Sequence, residues 1–107
     1  MAIKLSVDEI SRYQKDGVVA PITVMPASVA SELRRRLESA ESSFPQIIGP
    51  EKRNNAPYVL ACLDEIVHRE EILDAVECLI GPDIVLTNTV LFIKEPNSLH
   101  HVTYHQD

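Results

Sequence analysis

The chain has 107 residues, enough for one small domain. Apolar residues make up 45% and charged residues 24%, which is the balance of a folded globular chain and excludes a disordered one. The formal net charge of −6 speaks against broad nucleic-acid binding, which needs Lys and Arg to neutralise phosphates. No apolar run approaches the roughly 20 residues that span a bilayer.

The first helix is expected at about 6–16. Ser6 is a good N-cap, Glu9 three residues on completes a capping box, Ile10 and Tyr13 give an apolar edge, and Gly17 is a natural stop. A short β-rich run follows at about 18–22, where Pro21 limits it to a short or edge strand. The second helix is expected at about 26–42, with Pro26 at its first position and Val29, Leu33, Leu37 and Ala40 on one face. Arg34, Arg35 and Arg36 fall elsewhere on that helix and read as a solvated face. From Phe44 to Pro57 the prolines, Gly49 and the run Glu51-Lys52-Arg53-Asn54-Asn55 spell a loop.

Two further helices are expected at about 58–68 and 70–80. The second carries the stripe Ile72, Leu73, Val76, Leu79 and Ile80, with Glu70 and Glu71 at its positive end and Gly81-Pro82 after it. The period then changes. Residues 83–94 are rich in Val, Ile, Thr, Leu and Phe and read as a strand, as do residues at about 102–105. Parity puts Asn88, Val90, Phe92 and Lys94 on one face and Thr87, Thr89, Leu91 and Ile93 on the other. Helices first and strands last predict an α+β domain over 1–107, its sheet edge left open. Cys62 and Cys78 lie at helical spacing among apolar residues, which suits buried, reduced thiols. With no signal-peptide pattern at the N-terminus, the expected compartment is the cytoplasm.

His105-Gln106-Asp107 carries the chemistry. Two residues apart on a strand, an imidazole and a carboxylate point the same way and can share one cation. Two His and one carboxylate on one face of an octahedron suit Fe(II) and leave positions for a bidentate co-substrate and dioxygen; His-x-Asp supplies two of the three. The tripeptide alone is a weak signal.

Its context is more specific. Leu79-Ile80-Gly81-Pro82-Asp83-Ile84, then Leu91-Phe92-Ile93-Lys94-Glu95-Pro96, then Tyr104-His105-Gln106-Asp107 resemble, in order, the signature of the phytanoyl-CoA dioxygenase family. Leu63-Asp64-Glu65-Ile66-Val67, Ile72-Leu73-Asp74-Ala75-Val76-Glu77 and the opening from Leu5-Ser6 to Gly17-Val18-Val19 are similar to its helices. The resemblance covers nearly the whole chain and is weakest from Phe44 to Pro57.

That resemblance implies helices packed on the first strands of a double-stranded β-helix (jelly-roll or cupin-like) that is incomplete in this chain. It implies an Fe(II)- and 2-oxoglutarate-dependent dioxygenase that hydroxylates a small organic substrate with dioxygen. His105 and Asp107 match the first two iron ligands. Asn88, Val90, Phe92 and Lys94 match the face that meets co-substrate and substrate. Lys52 and Arg53 read as a solvated loop, with reach to a carboxylate as the alternative. His68 reads as a surface residue, and His100 and His101 as too close to the motif to act as the opposing ligand. Family members are much longer, so the second ligating His and the Arg for 2-oxoglutarate fall outside this sequence, and the chain alone is expected to be catalytically silent. The competing reading is a non-catalytic binding or assembly module whose open sheet edge pairs with a complementary chain.

Overall fold

Ser6 opens the first helix with a reciprocal cap. Its hydroxyl accepts from the Glu9 amide at 3.2 Å, and its own amide donates to the Glu9 carboxylate at 2.7 Å. In the computed structural model, which describes residues 3–48, 54–99 and 101–106, this helix is α1, Val7–Asp16. Gly17 closes it at φ 75°, a left-handed position that glycine occupies without steric cost, and donates to the Tyr13 carbonyl at 2.8 Å. α2 runs Ala27–Ser43. Pro26 is its N-cap, with extended backbone, and so stands one position outside the helix rather than at its first residue. A short turn of helix, α3, occupies Pro45–Ile48 inside the expected loop.

The helix expected at about 58–68 divides. A 3₁₀ turn at Ala56–Tyr58 precedes α4, Ala61–Val67, because Leu60 takes an extended conformation (φ −123°, ψ 109°) that breaks the run. α5 is Glu70–Ile80, and Gly81 ends it at φ 86°. Among the described residues no helix is long and apolar enough to cross a membrane.

The core lies where α2, the 3₁₀ turn and α4 meet. Leu33, Ala56, Cys62 and Leu63 are buried there, with Val29, Leu37, Ile66 and Leu91 packed around them. α5 packs on α1 and α4, and the Ile3 amide donates to the Asp74 carboxylate at 3.0 Å, tying the chain start to α5. Two of the three arginines of α2 make local pairs with Glu38 and Glu32, as a solvated face does. Arg36 differs. Its guanidinium spans to α4 and grips both oxygens of Glu65 at 2.7 and 2.8 Å.

The expected α+β architecture is not what the chain forms. Among the described residues there is no strand and no sheet; the segments expected as strands at 18–22, 83–94 and 102–105 are irregular, and the only β pairing is the isolated antiparallel bridge Asn54–Val90. The start of a double-stranded β-helix is therefore absent, and the fold is helical. The physical reason is that a strand exists only as one side of a ladder. β-branched side chains favour pleated surfaces chiefly through their packing on cross-strand neighbours, and one bridge supplies almost none. The radius of gyration, 15.9 Å, exceeds the roughly 13 Å of a compact chain this long, as expected where much of residues 83–106 is exposed.

Two glutamates link this fold to pH. Glu9 titrates below the ordinary glutamate value, held there first by the Ser6 amide and then by its hydroxyl. Glu65 is lowered by its hydrogen bonds to Arg36. In both, folding favours the carboxylate, so their contribution to stability is present above the unfolded-state value and lost as pH falls through the folded one. The urea midpoint is expected to drop as pH is taken from about 5 to about 3, and Glu65→Gln to flatten part of that slope.

Candidate functional site

Residues 83–99 follow Gly81 at the end of α5 and return across the helices, where Asn55 makes two hydrogen bonds to them. Asn55 has a left-handed backbone (φ 55°), which its short polar side chain tolerates. Its amide donates to the Thr89 carbonyl at 2.8 Å, and its side-chain oxygen accepts from the Thr89 amide at 3.1 Å. Asn55 thus does for Thr89 what a neighbouring strand would do. Leu91 packs on the core cluster and Thr89 is half-buried, whereas Asn88, Val90, Phe92 and Lys94 are exposed, Phe92 at 68%. The two parity faces are therefore distinct, with the odd-numbered residues at 89 and 91 turned to the helices and the even-numbered ones to solvent. A turn at Pro96-Asn97, with Ser98 donating to the Glu95 carbonyl at 3.2 Å, leads to the last segment.

There the His105 Nδ1 lies 2.9 Å from the Thr103 carbonyl. A carbonyl can only accept, so Nδ1 carries the proton and, in the neutral ring, Nε2 carries the lone pair. Metal-binding imidazoles are commonly oriented by such a bond from the second nitrogen to a backbone carbonyl. His105 thus fits the role of a single nitrogen donor. Asp107, the expected second ligand, lies outside the described residues, as do His100, Lys52 and Arg53. Among the described residues no three His, Cys, Asp or Glu side chains come together as a metal group. A complete Fe(II) centre is not formed by them, and Asn88, Val90, Phe92 and Lys94 are exposed.

A second polar cluster was read in sequence only as a surface histidine. His68 caps the C-terminus of α4, with Nδ1 3.0 Å from the Asp64 carbonyl and 3.2 Å from its carboxylate. The ring is exposed, and it lines a cleft of about 200 Å³ together with Asn55, Tyr58, Leu86 and Thr89. The Thr89 hydroxyl is buried and has no hydrogen-bond partner among the described residues. The four-residue spacing of Asp64 and His68 on a helical pattern was the available signal; the return of Thr89 to meet them had none. The pair holds the His68 ring in one tautomer at the negative end of α4.

Compared with protein-family models, with curated proteins and with solved structures, the chain matches none.

Proposed function

We propose that this chain carries the first two iron ligands, His105 and Asp107, of a non-haem Fe(II)- and 2-oxoglutarate-dependent dioxygenase that hydroxylates a small organic substrate. The observation that supports this reading most directly is the His105 ring. It stands at the His-x-Asp spacing, and its Nδ1 lies 2.9 Å from the Thr103 carbonyl, a bond that orients the ring as metal-binding imidazoles are commonly oriented. The ordered resemblance of residues 79–84, 91–96 and 104–107 to phytanoyl-CoA dioxygenases supports it independently. When bound, Fe(II) supplies the redox chemistry by which 2-oxoglutarate and dioxygen are consumed. The chain's own contribution is to present an oriented imidazole and a carboxylate. His105 and Asp107 by themselves hold Fe(II) weakly. Its free thiols, Cys62 and Cys78, suit a reducing compartment, which we take to be the cytoplasm.

An anaerobic calorimetric titration with Fe(II) tests the assignment. Weak binding is expected in the parent chain, about tenfold weaker or more in His105→Ala and Asp107→Ala, and unchanged in His68→Ala and His101→Ala. Equal loss in all four variants, or none in the first two, would overturn it.

One observation favours a second reading, an assembly module. Val85, Leu86, Val90, Phe92 and Ile93 are large apolar side chains lying exposed in one short segment.

A further inference from the structure

Residues 84–92 read nearly the same in both directions: Ile-Val-Leu-Thr-Asn-Thr-Val-Leu-Phe. Set antiparallel against itself about Asn88, the segment places Ile84 opposite Phe92, Val85 opposite Leu91, Leu86 opposite Val90 and Thr87 opposite Thr89. Every apolar residue meets an apolar one, every polar residue a polar one, and Asn88 meets its own copy. The stretch contains no charge and no proline, and Asp83 and Lys94 bound it. Such composition is what strand pairing between chains requires.

The backbone directions select the same axis. Thr89 turns both its amide and its carbonyl to Asn55. In extended chain a residue's two groups point to one side and those of its neighbours to the other. Asn55 and the bridge Asn54–Val90 occupy one edge of the segment, and among the described residues no backbone bond reaches the groups of Leu86, Asn88 and Val90, which an extended segment would turn to the other edge. A two-fold axis at Asn88 makes 86:90, 88:88 and 90:86 the hydrogen-bonded pairs, all on that outer edge. An axis at Val90 would set Leu86 against Lys94 and Ile84 against Pro96, which has no amide hydrogen. An axis at Leu86 would bring Pro82 against Val90. The Ile84 amide already donates to the Pro82 carbonyl, so the ladder ends near there.

We propose that two copies of this chain associate by antiparallel pairing of residues 84–92, on a two-fold axis at Asn88. The occupant of the edge is a second copy because the segment is complementary to itself. This proposal builds on the assembly reading and is independent of the iron assignment. The interface is isologous and small, so the dimer is weak and concentration-dependent. Each copy carries a formal charge of −6, so added salt strengthens the association by screening their repulsion.

Sedimentation equilibrium on the full chain, from micromolar to millimolar concentration, tests it with no metal present. Asn88 is exposed, so Asn88→Lys and Asn88→Asp leave the helices intact, which circular dichroism at low concentration verifies. The parent chain is expected to dimerise. Each variant alone is expected to associate about fivefold more weakly or worse, through like charges facing across the axis. An equimolar mixture of the two variants is expected to recover association, because Lys then faces Asp. A parent chain that stays monomeric, variants that associate as well as the parent, or a mixture no tighter than its components would each overturn the proposal.

Discussion

Replacing Leu63 by alanine is expected to cost about 2–4 kcal/mol of folding stability. Leu63 is 7% exposed and sits where α4 meets α2 and the 3₁₀ turn, beside Leu33, Ala56 and Cys62. The change removes buried methyl groups and leaves a cavity whose walls are α2 and α4, two helices also joined by the Arg36–Glu65 pair. Collapse around the gap is limited by that link. A domain of this size carries on the order of 5–15 kcal/mol of stability, and one with so few buried side chains belongs near the lower end. The substitution therefore removes a large part of the total. Urea unfolding followed by circular dichroism reads it directly. A loss below about 1 kcal/mol would mean that the cluster around Leu63 is not the centre of the fold.

Asn55→Ala is expected to free residues 83–94 from the helices while leaving α1, α2 and α5 in place. Alanine in the left-handed conformation costs roughly 1–2 kcal/mol, and loss of the side-chain acceptor for the Thr89 amide adds about 1 kcal/mol. The next residue, Ala56, is 1% exposed, so the strain falls at the edge of the core. Hydrogen exchange separates the local effect from a global one. The Thr89 amide is expected to lose its protection while the amides of α5 keep theirs. Asn55→Gly, which accepts the left-handed backbone but lacks the side-chain oxygen, is expected to fall between the parent and the alanine variant. If the Thr89 amide exchanged equally slowly in all three chains, Asn55 would not be the tie.

Much of the helical part was legible because its signals are local. The Ser6–Glu9 cap, Gly17 as a stop and the apolar stripe of α5 are each contained within a few consecutive residues. The division of the expected helix at 58–68 was less visible, since nothing in Tyr58-Val59-Leu60 announces that Leu60 turns extended. The strands were misread for a different reason. Val85, Val90 and Phe92 have the composition of a sheet, but a sheet is a property of two segments, and among the described residues the segment 83–94 pairs only with Asn54 and Asn55, some 34 positions earlier. Parity separated the two faces of this segment, yet only the contact of Leu91 with the helices decides which of them turns inward. Arg36 was indistinguishable from Arg34 and Arg35 in sequence, because the glutamate that it grips lies 29 residues away on another helix. At the site, the spacing of His105 and Asp107 could be read directly. The hydrogen bond from the His105 ring to the Thr103 carbonyl could not, because it depends on the backbone conformation between them.

The assignment of His105 as an iron ligand is the central claim, and it makes a residue-level prediction. Mn(II) shares the oxygen and nitrogen preferences of Fe(II), withstands air, and broadens the resonances of nuclei close to it. In a nuclear magnetic resonance titration of the labelled chain with Mn(II), the His105 ring and the amides of residues 105–107 are expected to broaden first. The rings of His68 and His101 are expected to stay sharp, and His105→Ala to abolish the effect at 105–107. Broadening centred on His68 and Asp64, or broadening at 105–107 that survives His105→Ala, would contradict the assignment.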